Sequence, residues 1–78
     1  MREKTLKFVV TFKNTAGALG MEKFCMERRL PGRLIPVPRQ ISAGCGMAWC
    51  APWEEKELLG EALSRFAGQV QEQHKLWL

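Results

Sequence analysis

No apolar run in this 78-residue chain approaches the ~20 residues that would carry a helix across a bilayer. The opening Met1-Arg2-Glu3-Lys4-Thr5 leads into a short run broken by Lys7 and Lys13, without the apolar core and small-residue cleavage site of a secretory leader. Cysteine is scarce and odd in number, at 25, 45 and 50, which argues against a disulfide-stapled secreted scaffold. The expectation is a cytoplasmic protein. Histidine occurs once, at His74, so a Ser–His or Cys–His nucleophile would rest on a single residue near the end of the chain. Gly44-Cys45-Gly46 lacks the Gly-Lys-Ser/Thr ending of a phosphate loop, and no cofactor is expected. There are no internal repeats and no low-complexity tracts.

Acidic residues are missing from one stretch in particular. The stretch from Arg28 through Arg39 holds four arginines and no carboxylate. Aromatic residues are missing from it too, and a surface that reads single-stranded nucleic acid interleaves its cations with stacking rings. A nucleic-acid partner is therefore not expected, although the net charge of +4 alone would allow nucleic acid, anionic substrates or an acidic protein.

What is present is the composition of one small globular domain over residues 1–78. Hydrophobic residues make up 46% and charged residues 26%, enough for a modest core. Residues 5–13 alternate, with Leu6, Phe8, Val10 and Phe12 on one side, and predict a half-buried strand. Asn14-Thr15 offers an N-cap for a helix over about 16–29, with Ala18, Met21 and Cys25 on its buried stripe and Leu19 and Met26 widening it. Arg28 and Arg29 then fall in the last turn, where they complement the helix dipole.

Pro31-Gly32 ends that helix. Residues 33–37 predict a strand kept short or at an edge by Pro36 and Pro38, because proline cannot donate to a ladder. Residues 40–46 read as loop, and 47–51 as a further strand ending at Pro52. Trp53-Glu54-Glu55 opens a second helix, in which Leu59, Ala62, Leu63, Phe66, Ala67 and Val70 follow helical spacing. The final residues, His74 to Leu78, fit either a continuation of that helix or a short edge strand. The order β-α-β-β-α, with an optional last strand, predicts an α+β ferredoxin-like sandwich: an antiparallel sheet with two helices on one face. An edge left exposed by a short last strand would also allow a homodimer.

The candidate chemistry centres on Cys45 in Ile41-Ser42-Ala43-Gly44-Cys45-Gly46. A thiol between glycines can be approached closely, and nearby positive charge favours the nucleophilic thiolate. The competing reading is a small buried hydrophobe. Arg33 and Arg39 are six apart and would share a face of a regular strand. Cys50 reads as a strand residue packed in the core, with a second redox role as the alternative. On an extended segment it points away from Cys45, so a bridge between the two would need a bend. Cys25 reads as structural. Cys25, Cys45, Cys50 and His74 match no zinc spacing, and no metal is expected.

The run Pro31-Gly-Arg-Leu-Ile-Pro-Val-Pro-Arg-Gln-Ile-Ser-Ala-Gly-Cys-Gly-Met-Ala-Trp49 resembles the small bacterial proteins grouped as selenium/sulfur carrier protein-like. Phe12 to Glu22 looks like that family's first strand–helix junction, and the resemblance extends to about Leu63. It implies partners in sulfur or selenium trafficking, such as a cysteine desulfurase or a selenium-metabolism enzyme. It implies that Cys45 is the carrier thiol, holding a persulfide or selenosulfide, with Arg33, Arg39 and Ser42 in the same block as supporting residues. Such a chain would be an accessory carrier rather than a stand-alone enzyme. Cys50 lies outside the matched motif, and the polar C-terminal stretch departs from the clear last strand of such proteins. Two other readings remain: a partner-binding or regulatory module that uses its basic face, and a thiol redox protein that uses Cys45 and Cys50.

Overall fold

A computed structural model describes residues 3–41 and 44–78. Alternation in the first segment produces β1 (Leu6–Phe12). Its odd and even residues are both needed inside: Phe8, Val10 and Phe12 join the main core, while Val9 and Thr11 on the opposite side are also buried. Helix α1 (Thr15–Arg28) begins where expected, since the Asn14 side-chain oxygen accepts from the Gly17 N–H at 2.8 Å. It ends at Arg29, whose φ of 55° places it in the left-handed region and whose N–H reaches back to helix carbonyls. Ala18, Met21 and Cys25 form its buried stripe, with Gly17 and Phe24 alongside. Leu19 and Met26 do not widen that stripe. Both are exposed, because the sheet meets the helix on the side of Phe24.

Strands β2 (Arg33–Pro36) and β3 (Met47–Pro52) form an antiparallel hairpin, in which Arg33 faces Cys50 and Pro36 faces Met47. The prolines keep β2 to four residues at the sheet edge. Beyond β3 the chain departs from the expected single long helix. Trp53–Leu59 is a 3₁₀ segment, α2 covers only Gly60–Arg65, and Val70 already belongs to β4 (Val70–Trp77). The helical stripe survives in part. Leu59 and Ala62 are buried, and Leu63, Phe66 and Val70 pack on the core, but Ala67 is exposed. The chain turns after Phe66, with the N–H groups of Gln69 and Val70 both reaching its carbonyl. The physical reason is the free edge of β1. Left unpaired, it would expose a row of backbone donors and acceptors; β4 pairs with it from Leu6 opposite Trp77 to Phe12 opposite Val70.

The sheet order is β2-β3-β1-β4 with every neighbour antiparallel, the ferredoxin-like α+β arrangement. Phe8, Val10 and Phe12 of β1 and Trp49 and Ala51 of β3 share one core with Met21, Phe24 and Cys25 of α1 and Leu59 and Ala62 of the α2 region. Both helices therefore cover the same face. The other face carries Lys7, Val9 and Thr11 of β1 beside Ala48, Cys50 and Pro52 of β3. No helix among the described residues is long and apolar enough to cross a membrane.

Candidate functional site

The three cysteines occupy three different environments. Cys25 lies on the inner stripe of α1 with no exposure, and burial pushes its thiol up to about 11. Cys50 is half-buried on β3, in register with Val9 on one side and Arg33 on the other. Burial raises its pKa, and the positive charges of Lys7 and Arg33 oppose that rise in part. Cys45 stands on the β2–β3 loop. The hairpin ladder continues past the strands through the Val37 N–H to the Gly46 carbonyl, at 3.0 Å, and Cys45 sits just inside that closure.

Glycine is required beside it. Gly46 has φ of +76°, a conformation other residues rarely adopt, and a Cβ there would meet nothing within 4 Å. The backbone turn, not crowding, selects that residue. The turn brings Cys45 half-buried against the rim of the core, on the helix-covered side, where its Sγ donates to the Met47 carbonyl at 3.3 Å. On the other side of the loop the Gly44 N–H lies 3.5 Å from Gln71 Oε1 of β4. The loop is thus held at both flanks, while its sulfur is tethered by one weak contact.

Arg33 does not stand beside this thiol. Arg33 stands opposite Cys50, which is three strand positions, about 10 Å, beyond Met47. Arg39 is exposed in the turn before Ile41, and no hydrogen bond among the described residues joins it to Cys45. Ser42 lies outside the described residues. Cys45 packs with Met47, Trp49 and Ala51 on the core side, whereas Cys50 belongs to the opposite face, so the two thiols are separated by the sheet itself. All three cysteines are free. An intramolecular bridge needs Cα atoms within about 7 Å, which here would require β3 to leave its ladder.

Residues 7–75 match the model of the family described as "Putative Se/S carrier protein-like". The chain belongs to that family. The match runs from within β1 into β4 and so takes in both helices, β2, β3, the Cys45 loop and most of the two outer elements of the chain. No curated protein and no solved structure matches the chain.

One feature has no counterpart in the local sequence pattern. A cavity of about 520 Å³ opens over Cys50, with Lys7, Arg33, Lys4, Ile35 and Pro52 among its walls. The signal was present as Lys7 and Arg33, but only the strand register brings them to one place. Among the described residues no three His, Cys, Asp or Glu side chains gather as metal ligands.

Proposed function

We propose that this chain carries a zero-valent sulfur or selenium atom on Cys45, taking it from a desulfurase and passing it to an acceptor enzyme. The observation that supports this most is the placement of Cys45. It is the one cysteine of three on a loop, next to a glycine in a left-handed turn, whereas Cys25 and Cys50 are fixed in regular elements. Membership of a Se/S carrier-like family supports the same reading.

The transfer needs no net oxidant. The Cys45 thiolate attacks the outer sulfur of a desulfurase persulfide. A new S–S bond forms at Cys45, the old S–S bond breaks, and the desulfurase cysteine leaves as a thiolate. A selenium atom held in the same way follows the same path. For the sulfur to turn outward it must release the Met47 carbonyl, which is a small cost for one weak thiol hydrogen bond. Arg39, exposed before the loop, is proposed to face the partner, and Ser42, in the same sequence block, to support the transfer. Arg33 is assigned no part in activating Cys45, since it lies opposite Cys50.

The test is transfer from a pyridoxal-phosphate desulfurase charged with ³⁵S-cysteine. Wild type, Cys25→Ser and Cys50→Ser should acquire label that a thiol reductant removes, and Cys45→Ser should acquire none. Equal labelling of Cys45→Ser and wild type would refute the reading.

A further inference from the structure

The uncovered sheet face holds a second site, distinct from the Cys45 loop. We propose that the cavity over Cys50 binds a small organic anion, with its charged head between Lys7 and Arg33 and its apolar body against Ile35 and Pro52. The cavity, about 520 Å³, falls in the size range of small-molecule sites and is too roomy for a bare oxyanion. Its walls pair apolar surface with cations. Lys7 and Arg33 have no ion-pair partner among the described residues, where the close pairings are the Arg28–Glu61 ion pair and a His74–Glu72 contact. Lys4 adds a third cation to the lining, and Glu3 is its one acidic side chain.

The cations are held in place by the ladder rather than by flexible loops. Arg33 is in register with Cys50, and Lys7 with Pro52, two positions along β3. Their charge reaches the cavity floor, since both act on the Cys50 thiol. Unpaired cations converging on a partly apolar cavity gain most from a ligand that brings the missing negative charge and covers the apolar wall. The thiol beneath stays neutral under burial, so the ligand is held there rather than attacked. Because the sheet separates this site from Cys45, the inference stands independently of the carrier reading.

The experiment is a titration of the ¹⁵N-labelled chain with benzenesulfonate, followed by amide shifts. Inorganic sulfate supplies the head alone and benzyl alcohol the body alone. Benzenesulfonate should give saturable shifts at Lys7, Arg33 and Cys50. Sulfate and benzyl alcohol should each bind about tenfold more weakly or worse. Arg33→Gln and Lys7→Gln should each weaken benzenesulfonate about tenfold, the effect of one lost charged contact, and Cys45→Ser should leave it unchanged. Shifts that are linear, equal for all three probes, or unaffected by both substitutions would overturn the proposal. A second readout needs no variant: saturating benzenesulfonate should slow alkylation of Cys50 by N-ethylmaleimide at least tenfold without slowing that of Cys45. Equal Cys50 rates with and without ligand would also overturn it.

Discussion

Gly32 shows how one residue sets the start of the hairpin that carries the site. Its φ is +108°, and a Cβ there would run into the Trp49 indole and the Cys50 carbonyl. Trp49 is fully buried and donates its ring N–H to the Pro31 carbonyl at 3.1 Å, so the indole cannot step aside without losing a bond. Gly32→Ala combines backbone strain with a clash and should lower unfolding free energy by about 2–3 kcal/mol in urea titration. The Cys25 thiol makes a second prediction at this scale. Burial raises it from 9.0 to about 11, so the folded state holds its proton where the unfolded chain has released it. The stabilisation is complete below pH 9 and is lost as pH rises toward 11. Wild type should lose about 2 kcal/mol more than Cys25→Ala across that window, read from urea midpoints at each pH. Parallel pH profiles for the two would contradict the assignment.

At the scale of elements, β4 is where sequence and structure diverge, and Thr11 shows how the divergence is accommodated. The β1–β4 register slips between Thr11 and Phe12, which interrupts the backbone ladder. The Thr11 hydroxyl fills the gap: it accepts from the Glu72 N–H at 3.0 Å and lies 3.4 Å from the Glu72 carbonyl, to which it donates. Thr11→Val keeps the shape and β-branching but leaves the Glu72 N–H without that acceptor. It should cost about 1–2 kcal/mol and speed amide exchange at Glu72 ahead of the rest of β4. An unchanged Glu72 exchange rate would show that the hydroxyl does not support the bulge. None of this was legible from residues 70–77. Val70 fits a helical stripe and a strand start equally well, and Gln71-Glu72-Gln73 lacks the alternation that revealed β1. An edge strand that mainly completes its neighbour's hydrogen bonds can have polar composition. The first strand, the N-cap at Asn14 and the proline-limited β2 were legible, because each rests on a local physical cue.

At the scale of the whole molecule, the ferredoxin-like topology distributes the chemistry over two faces. The β2–β3 loop presents Cys45 at the core side of one end, and the ladder gathers Lys7, Arg33 and Cys50 on the other face. The loop position of Cys45 could be read from its glycines. The partner of Arg33 could not, because a hairpin's register depends on where its loop closes, here through Val37 and Gly46, and nothing in residues 33–50 states that closure. Arg33, close to Cys45 in sequence, therefore stands opposite Cys50 in space. The helix-side surface has its own charge pattern. The Arg28–Glu61 ion pair at 2.9 Å ties α1 to α2, and Lys56 and Lys75 flank the Trp53 ring within 5 Å. The pair is exposed and contributes little to stability.

Cys45 alone is proposed to accept the transferred atom, and a peptide-resolved mass spectrum reads the acceptor site by site. Wild-type chain is incubated with a desulfurase and cysteine, its remaining thiols are blocked, and it is digested without reductant. One added sulfur atom is expected on the peptide containing Cys45, with unmodified peptides for Cys25 and Cys50. Added sulfur on Cys50, or none on Cys45 while the desulfurase is charged, would contradict it.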